Sequence, residues 1–251
     1  ILHGTWSNPA YGVIKGRPQV IFPGGNGWVY SFEPKTGKLL WQFDANPKDS
    51  VWVLGGRGTR NNIIATPVVW EDKVYIAVGQ DPEHGEGVGN FWAIDASLDG
   101  DVTGKAAVWH RGGNDFHRTI STVAIHDGIV YAADLSGFLY ALDARTGALH
   151  WKHYLLAAVW GSPYVADGRV YIGDEDGDIA ILKAGKTKEL IAEPNVGVSV
   201  YTTPVARNGV RYRPAILPRG HHSASVEAVP GDGSRRCSRR RRPPRRRTRW
   251  P

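Results

Sequence analysis

The stretch "ALDARTGALHW", Ala141–Trp151, decides the reading of this chain, because "SFEPKTGKLLW", Ser31–Trp41, repeats it. In each, an acid (Asp143, Glu33) precedes a Thr-Gly pair and a tryptophan closes the stretch. An acidic side chain there can accept hydrogen bonds from the backbone that follows, and Thr-Gly makes a tight turn. A turn written twice and ended each time on a large ring is a feature of architecture. A buried tryptophan covers roughly 150–250 Å² and can fasten one repeat to the next.

Working outward, five stretches align: "SNPAY" at Ser7, "ATPVV" at Ala65, "STVAI" at Ser121, "GSPYV" at Gly161 and "TTPVA" at Thr202. In the last four a tyrosine follows eight residues after the proline position, at Tyr75, Tyr131, Tyr171 and Tyr212. Between them lie "WEDK", "IHDG", "VADG" and "ARNG", which suit two-residue hairpins with positive φ. After each hairpin come a strand of the "VYIAVG" type, a second such as "FLYALD", and a third carrying the tryptophan, such as "LHWKHY". Each unit is thus four short antiparallel strands. The spacings at the proline position are 58, 56, 40 and 41 residues. Four strands in about 40 residues is the signature of a β-propeller blade.

The expected fold is all-β: a propeller over residues 1–210, with blades at about 1–44, 63–110, 119–153 and 159–191 and the first strand of another at 200–210. With 31 Gly and 16 Pro in 251 residues, the composition agrees with a turn-rich β protein. No apolar run approaches the ~20 residues of a transmembrane helix.

The pattern A-x-D-x-x-T-G-K-x-x-W resembles the tryptophan-docking motif of pyrroloquinoline quinone (PQQ) repeats. Ala141, Asp143, Thr146, Gly147 and Trp151 match it, with Ala148 in place of the lysine. Ser31, Glu33, Thr36, Gly37, Lys38 and Trp41 match more loosely, and Ala93, Asp95, Thr103, Gly104, Lys105 and Trp109 match with inserted residues. Trp41, Trp109, Trp151, Asp143 and Gly147 are therefore read as docking residues. The chain resembles the PQQ-binding-like β-propellers, a superfamily that includes quinoprotein alcohol dehydrogenases and BamB-type lipoproteins of outer-membrane assembly. That resemblance implies a ring of seven or eight blades, of which about four are present here, so a longer natural domain is expected. It also implies the periplasm or cell envelope. PQQ with Ca²⁺ enters as a cofactor by resemblance only. No metal site is assigned from the residues.

After "TTPVARNGV" the repeat fails. Residues 211–251 hold 13 Arg, no Lys and 2 acids, a charge of +11, whereas residues 1–210 carry 18 basic and 22 acidic residues, or −4; together these give the net +7. The tail reads as out-of-frame sequence or a disordered arm. Nucleic acid is a partner only if that arm is genuine. Cys237, the single cysteine, lies in it, so the body has no disulfide.

Loops between the second and third strands of a blade, and from the fourth strand to the next blade, open on one face. The long segments 45–62, 79–90 and 110–118 are all of that kind, and long loops on a rigid scaffold are where binding usually resides. The expected binding face collects Arg60, Asn62, Asp81, Glu83, His84, Glu86, His110, Asn114, Asp115, His117 and Arg118. Trp160 and Tyr201, three residues before their aligned prolines, join it as aromatics able to stack on a planar ligand or plug the channel mouth. The function expected is a non-catalytic propeller that binds a protein or small ligand through this face. The alternatives are a PQQ- and Ca²⁺-dependent alcohol or sugar dehydrogenase, with Asp115 as base and Arg118 as cation, and a sensor or interaction domain of a larger envelope protein.

Overall fold

In the computed structural model, the described residues are 4–53, 58–79, 88–207, 210–212 and 226–228. Four antiparallel sheets follow one another in chain order, each a meander. The first holds β1 (Ala10–Ile14), β2 (Arg17–Pro23), β3 (Trp28–Phe32) and β4 (Leu39–Asp44). The second holds β5 (Val68–Trp70), β6 (Lys73–Val78), β7 (Asn90–Asp95) and β9 (Ala107–Gly112). The third holds β10 (Ala124–His126), β11 (Ile129–Ala133), β12 (Phe138–Asp143) and β13 (Leu149–Tyr154). The fourth holds β14 (Tyr164–Ala166), β15 (Arg169–Gly173), β16 (Ile179–Lys183) and β17 (Leu190–Ala192). This is the propeller expected from the repeat. No helix among the described residues is long and apolar enough to cross a membrane.

Two departures from four strands per unit occur. The residues inserted ahead of Trp109 form β8 (Gly100–Asp101), which pairs in parallel with β4 and gives the first sheet a fifth strand. Thr103 Oγ1 accepts from the Asp44 amide at 2.9 Å, and Arg17 pairs with Asp99 at 2.7 Å. The inserted residues therefore cover the outer edge of the first sheet, where an open strand would template pairing with another chain. In the chain after Thr202, β18 (Val205–Arg207), β19 (Val210–Tyr212) and β20 (Val226–Ala228) make a three-stranded sheet. Two of these strands fall within or reach into the segment expected to be disordered; the rest of that segment lies outside the described residues.

The turn chemistry explains the meanders. Lys15-Gly16, Glu71-Asp72, Asp127-Gly128 and Asp167-Gly168 each have positive φ at both positions, and the flanking residues pair directly, as Trp70 does with Lys73. These are type I′ hairpins, whose twist matches that of the strands. In the turn after β12, Asp143 Oδ1 accepts from the amides of Arg145 and Thr146 and from the Thr146 hydroxyl, all at 3.0 Å. Burial pushes the Asp143 pKa up, but these hydrogen bonds outweigh it and leave the carboxyl below its ordinary value. Glu33 does the same for Lys35 and Thr36.

Alternate residues of each strand point to opposite faces, so a sheet that lies between two others serves two cores. Val130 and Ala132 pack against Tyr75, Phe91 and Trp109 of the second sheet, whereas Ile129, Tyr131 and Ala133 pack against Val170 and Ile172 of the fourth. The tryptophans cross these cores. Trp109 Nε1 donates to the Ala144 carbonyl of the third sheet at 2.9 Å, and Trp151 Nε1 to the Gly185 carbonyl of the fourth at 2.8 Å. Trp41 reaches the second sheet through a relay: its Nε1 donates to Gln19 Oε1 at 2.8 Å, and Gln19 Nε2 donates to the Ala96 carbonyl at 3.1 Å. A Cβ on Gly147 would lie 2.7 Å from the Trp109 ring. Glycine there both accepts the left-handed turn and leaves room for the indole.

A ladder of hydroxyls joins the first strands of successive sheets. The Thr66 amide donates to Thr122 Oγ1, the Thr122 amide to Ser162 Oγ, and the Ser162 amide to Thr203 Oγ1, at 3.0, 2.9 and 3.0 Å. Ser121 Oγ donates to the Gly161 carbonyl at 2.6 Å. These residues lie one or two before the aligned proline position, so the ladder repeats with the blade.

Candidate functional site

The loop between β11 and β12 and the connection from β9 to β10 meet on the long-loop face. The connection is pinned first. Thr119 Oγ1 donates to the Ala133 carbonyl at 2.6 Å, and the Leu135 amide donates to the Arg118 carbonyl at 3.0 Å. Gly89 lets this segment pass, because a Cβ there would strike the His117 carbonyl. The pinning brings His117 onto Asp134, which is fully buried at the end of β11. His117 Nδ1 lies 3.0 Å from Asp134 Oδ2. The Tyr140 hydroxyl donates to the same oxygen at 2.6 Å, and the Phe138 amide donates to Oδ1 at 3.0 Å. Desolvation first, and then the Asp134 carboxylate that it bonds, push the Tyr140 pKa above its ordinary value, so the phenol stays a donor.

Beside this pair opens a cavity of about 320 Å³. Among the described residues, Val88, Gly89, Gly113, Asn114, His117, Arg118 and Ser136 line it. That volume is at the lower end for small-ligand sites.

The face expected from the sequence is assembled only in part. Asn114, His117 and Arg118 come together at the cavity. Asp115 does not line it; its side chain is 73% exposed, with Arg111 3.9 Å away. His110 is drawn onto its own sheet, where its ring stacks on Trp92 at 3.7 Å and Nε2 lies 2.8 Å from Asn90 Oδ1. Desolvation there holds its pKa below the ordinary histidine value. Arg60 Nε donates to the Asn26 carbonyl at 3.0 Å, and buried Asn62 bridges to Gly79, so both tie down the 45–62 segment. Asp81, Glu83, His84 and Glu86 lie outside the described residues.

Trp160 and Tyr201 meet edge to face, with centroids 5.7 Å apart and planes at 81°. Each donates to Glu175 at 3.2 Å, the indole to Oε2 and the phenol to Oε1. They form a second corner of the same face. Beside it, Asp174 occupies in the fourth sheet the place of Asp134 in the third. Its Oδ1 accepts from the Asp176 and Asp178 amides, but Oδ2 is buried without a hydrogen-bond partner. Ala157 and Ala180 stand where His117 and Tyr140 stand one repeat earlier. Burial raises the Asp174 pKa above the ordinary carboxylate value.

Asp134, Tyr140, Ser136 and Glu175 were not singled out in the sequence. The signal for Asp134 was available in the alignment itself, which places an acid directly after the "VYAA" and "VYIG" strands in the third and fourth units only.

The chemistry implied by resemblance, a Ca²⁺ polarising a quinone beside a carboxylate base, needs several convergent oxygen donors. Among the described residues, no three His, Cys, Asp or Glu side chains are grouped to hold a metal ion. With Asp115 directed to solvent, the described donor set does not fit that pair.

The fold and the repeat agree with what the chain is similar to. A family model described as outer membrane protein assembly factor BamB matches residues 25–190. The BamB of Moranella endobia is 25% identical over 181 residues, covering 72% of this chain and 41% of that protein. The 1-butanol dehydrogenase (cytochrome c) of Thauera butanivorans is 28% identical over 154 residues, covering 57% of this chain and 19% of that protein. The crystal structure of BamB from Moraxella catarrhalis superposes with a TM-score of 0.62 at 16% identity, covering 84% of this chain and 56% of the other. The chain thus spans between about a fifth and a little over half of the length of these relatives. A sheet-by-sheet repeat, its acid-Thr-Gly turns and a family match over residues 25–190 together place the chain in the BamB-like family of PQQ-repeat β-propellers.

Proposed function

We propose that this chain is a non-catalytic binding scaffold of the cell envelope that takes a protein or small ligand on its long-loop face. The observation that supports it most is the convergence there of anchored polar side chains around a cavity: His117 held by buried Asp134, with Asn114, Arg118 and Ser136 beside it. The repeated turns are spent on the frame, with Trp41, Trp109, Trp151, Asp143 and Gly147 docking each sheet to the next. The envelope assignment draws on the BamB relatives. A sensor or interaction domain of a larger envelope protein is the same reading at another scale, since the same face would carry it.

The competing reading, a PQQ- and Ca²⁺-dependent alcohol or sugar dehydrogenase, draws on the likeness to the butanol dehydrogenase. The test adds PQQ and Ca²⁺ to the protein and follows tryptophan fluorescence and dye reduction with alcohols and sugars. The scaffold reading expects no turnover, together with photo-crosslinking to a partner from Asn114 but not from Lys35 on the opposite face. Saturable PQQ binding with turnover overturns it.

A further inference from the structure

We infer that Trp160, Tyr201 and Glu175 form a guanidinium site, in which an arginine side chain of a protein partner lies against the two rings and donates to the carboxylate. The inference rests on the reading of the long-loop face as the binding face, and adds to it the chemistry of the partner and the atoms that recognise it.

The backbone builds the corner. The Glu175 amide donates to the Ala158 carbonyl at 2.9 Å, and the Val200 amide donates to the Asp174 carbonyl at 2.9 Å. Two connections, one entering the fourth sheet and one leaving it, are thus pinned to the turn between β15 and β16, and they set Trp160 and Tyr201 beside Glu175. The rings stand at 81° to each other, and the indole and the phenol each donate to one Glu175 oxygen at 3.2 Å. Tyr201 is 36% exposed, and Trp160 and Glu175 are half-buried, so all three can be reached from outside. The equivalent positions one repeat earlier hold Ile120 and Leu135, two aliphatic residues. A plug for the channel mouth needs no charge, whereas the fourth sheet puts a carboxylate between two ring donors.

The electrostatics select a cation. Glu175 belongs to a run with Asp174, Asp176 and Asp178. Among the described residues the donors to these carboxylates are neutral: the indole, the phenol, the Asp176 and Asp178 amides and the Asn195 side chain. Fully buried Asp174 keeps Oδ2 without a hydrogen-bond partner, so the turn holds more acceptor capacity than its donors use. Each carboxylate oxygen has two lone pairs, so Glu175 can take a further donor while it holds both rings. A cation over a Trp or Tyr face is attracted by the ring quadrupole. A guanidinium adds a planar fork that matches a carboxylate and stacks on aromatic faces, so it uses the rings and the acid at once. Asp176, exposed and next in the chain, extends the negative charge beyond the reach of one side chain, which suits a basic segment of a polypeptide.

The test titrates the full chain with the peptide acetyl-Gly-Arg-Gly-amide and with its citrulline counterpart, which keeps the shape and loses the charge. Ionic strength is held constant with NaCl, and amide, indole and tyrosine-ring signals are followed by NMR. Saturable shifts of the Trp160 indole N–H, of Tyr201 and of residues 174–176 are expected with the arginine peptide, and the citrulline peptide should bind roughly tenfold more weakly or not at all. Glu175→Gln keeps an acceptor for both rings but removes the charge, and should weaken arginine-peptide binding roughly tenfold. Asp127→Asn, which removes an acid from the opposite face, should leave binding unchanged. Equal binding of the two peptides, binding indifferent to Glu175→Gln, or no saturable shift with the arginine peptide would overturn the guanidinium site alone. Saturation at residues 113–118 and Ser136 instead would overturn that site but leave the long-loop face as the binding face. Saturation around Glu33, Asp127 and Asp143 would overturn both.

Discussion

Gly147→Ala tests the seating of one sheet on the next. Gly147 has φ +71°, and its added Cβ would meet the Trp109 ring at 2.7–2.9 Å. Gly37 occupies the same place in the first sheet with φ +69°, and nothing lies within 4 Å of its added Cβ. Both alanines bear the left-handed backbone cost, roughly 1–2 kcal/mol. Only Gly147→Ala also displaces an indole from a packed core, adding roughly 1–3 kcal/mol. The difference between the two variants therefore isolates the tryptophan contact. For a chain of this size that difference corresponds to a lower Tm by about 2–12 °C. Urea and thermal unfolding by circular dichroism would measure it. In a Trp109→Leu background, the cost of Gly147→Ala should fall back to that of Gly37→Ala. Equal losses at Gly37 and Gly147 in the parent chain would refute the packing argument, because the ring could not then be resting on that turn.

Three further outcomes are expected. Trp151→Phe strands the Gly185 carbonyl, now 2.8 Å from the indole nitrogen, and should cost about 1–3 kcal/mol in urea unfolding. Ser121→Ala removes the buried 2.6 Å bond to the Gly161 carbonyl and should cost about 1–2 kcal/mol, whereas an exposed control such as Ser136→Ala should be neutral in stability. Asp174 carries a pKa raised by burial, so its folded form resists ionisation and stability is lost as pH rises from about 4 through the raised value. Asp174→Asn should remove that loss, giving a Tm difference from the parent that grows with pH; a difference independent of pH would contradict the buried, partnerless Oδ2.

The repeat was legible because its information is local. Four-residue hairpins such as "IHDG" state their own geometry, and a turn such as "ARTG" names both its acceptor and its left-handed glycine. The hydroxyl ladder was equally present in the text, as Thr66, Thr122, Ser162 and Thr203, each directly ahead of an aligned proline position. It passed unread because a Ser or Thr before a strand is common, and its partner lies one whole blade away. The site was less legible for the same reason. His117 and Arg118 stood out as polar residues in a long loop, but Asp134 lies 17 residues on and Tyr140 further still. Their meeting depends on how a connection from one sheet passes beneath a turn of the next. Asp115, chosen as an acid in a long loop, has no such neighbour and faces water.

The irregular turn ahead of Trp109 carries a further consequence. As sequence it is a damaged copy, stretched by its insertion. As structure it is a latch, because β8, Thr103 and Asp99 all grip the first sheet from the second. Sheets joined only by side-chain packing can part along their shared face, one at a time. Here β4 cannot peel away unless the second sheet gives up part of its own outline, so the two sheets must open as one cooperative block. The third and fourth sheets are joined by the Trp151, Ser121 and Thr122 hydrogen bonds, with no such strand between them among the described residues. Backbone pairing between one sheet and the next thus occurs at the place where the repeat is least regular.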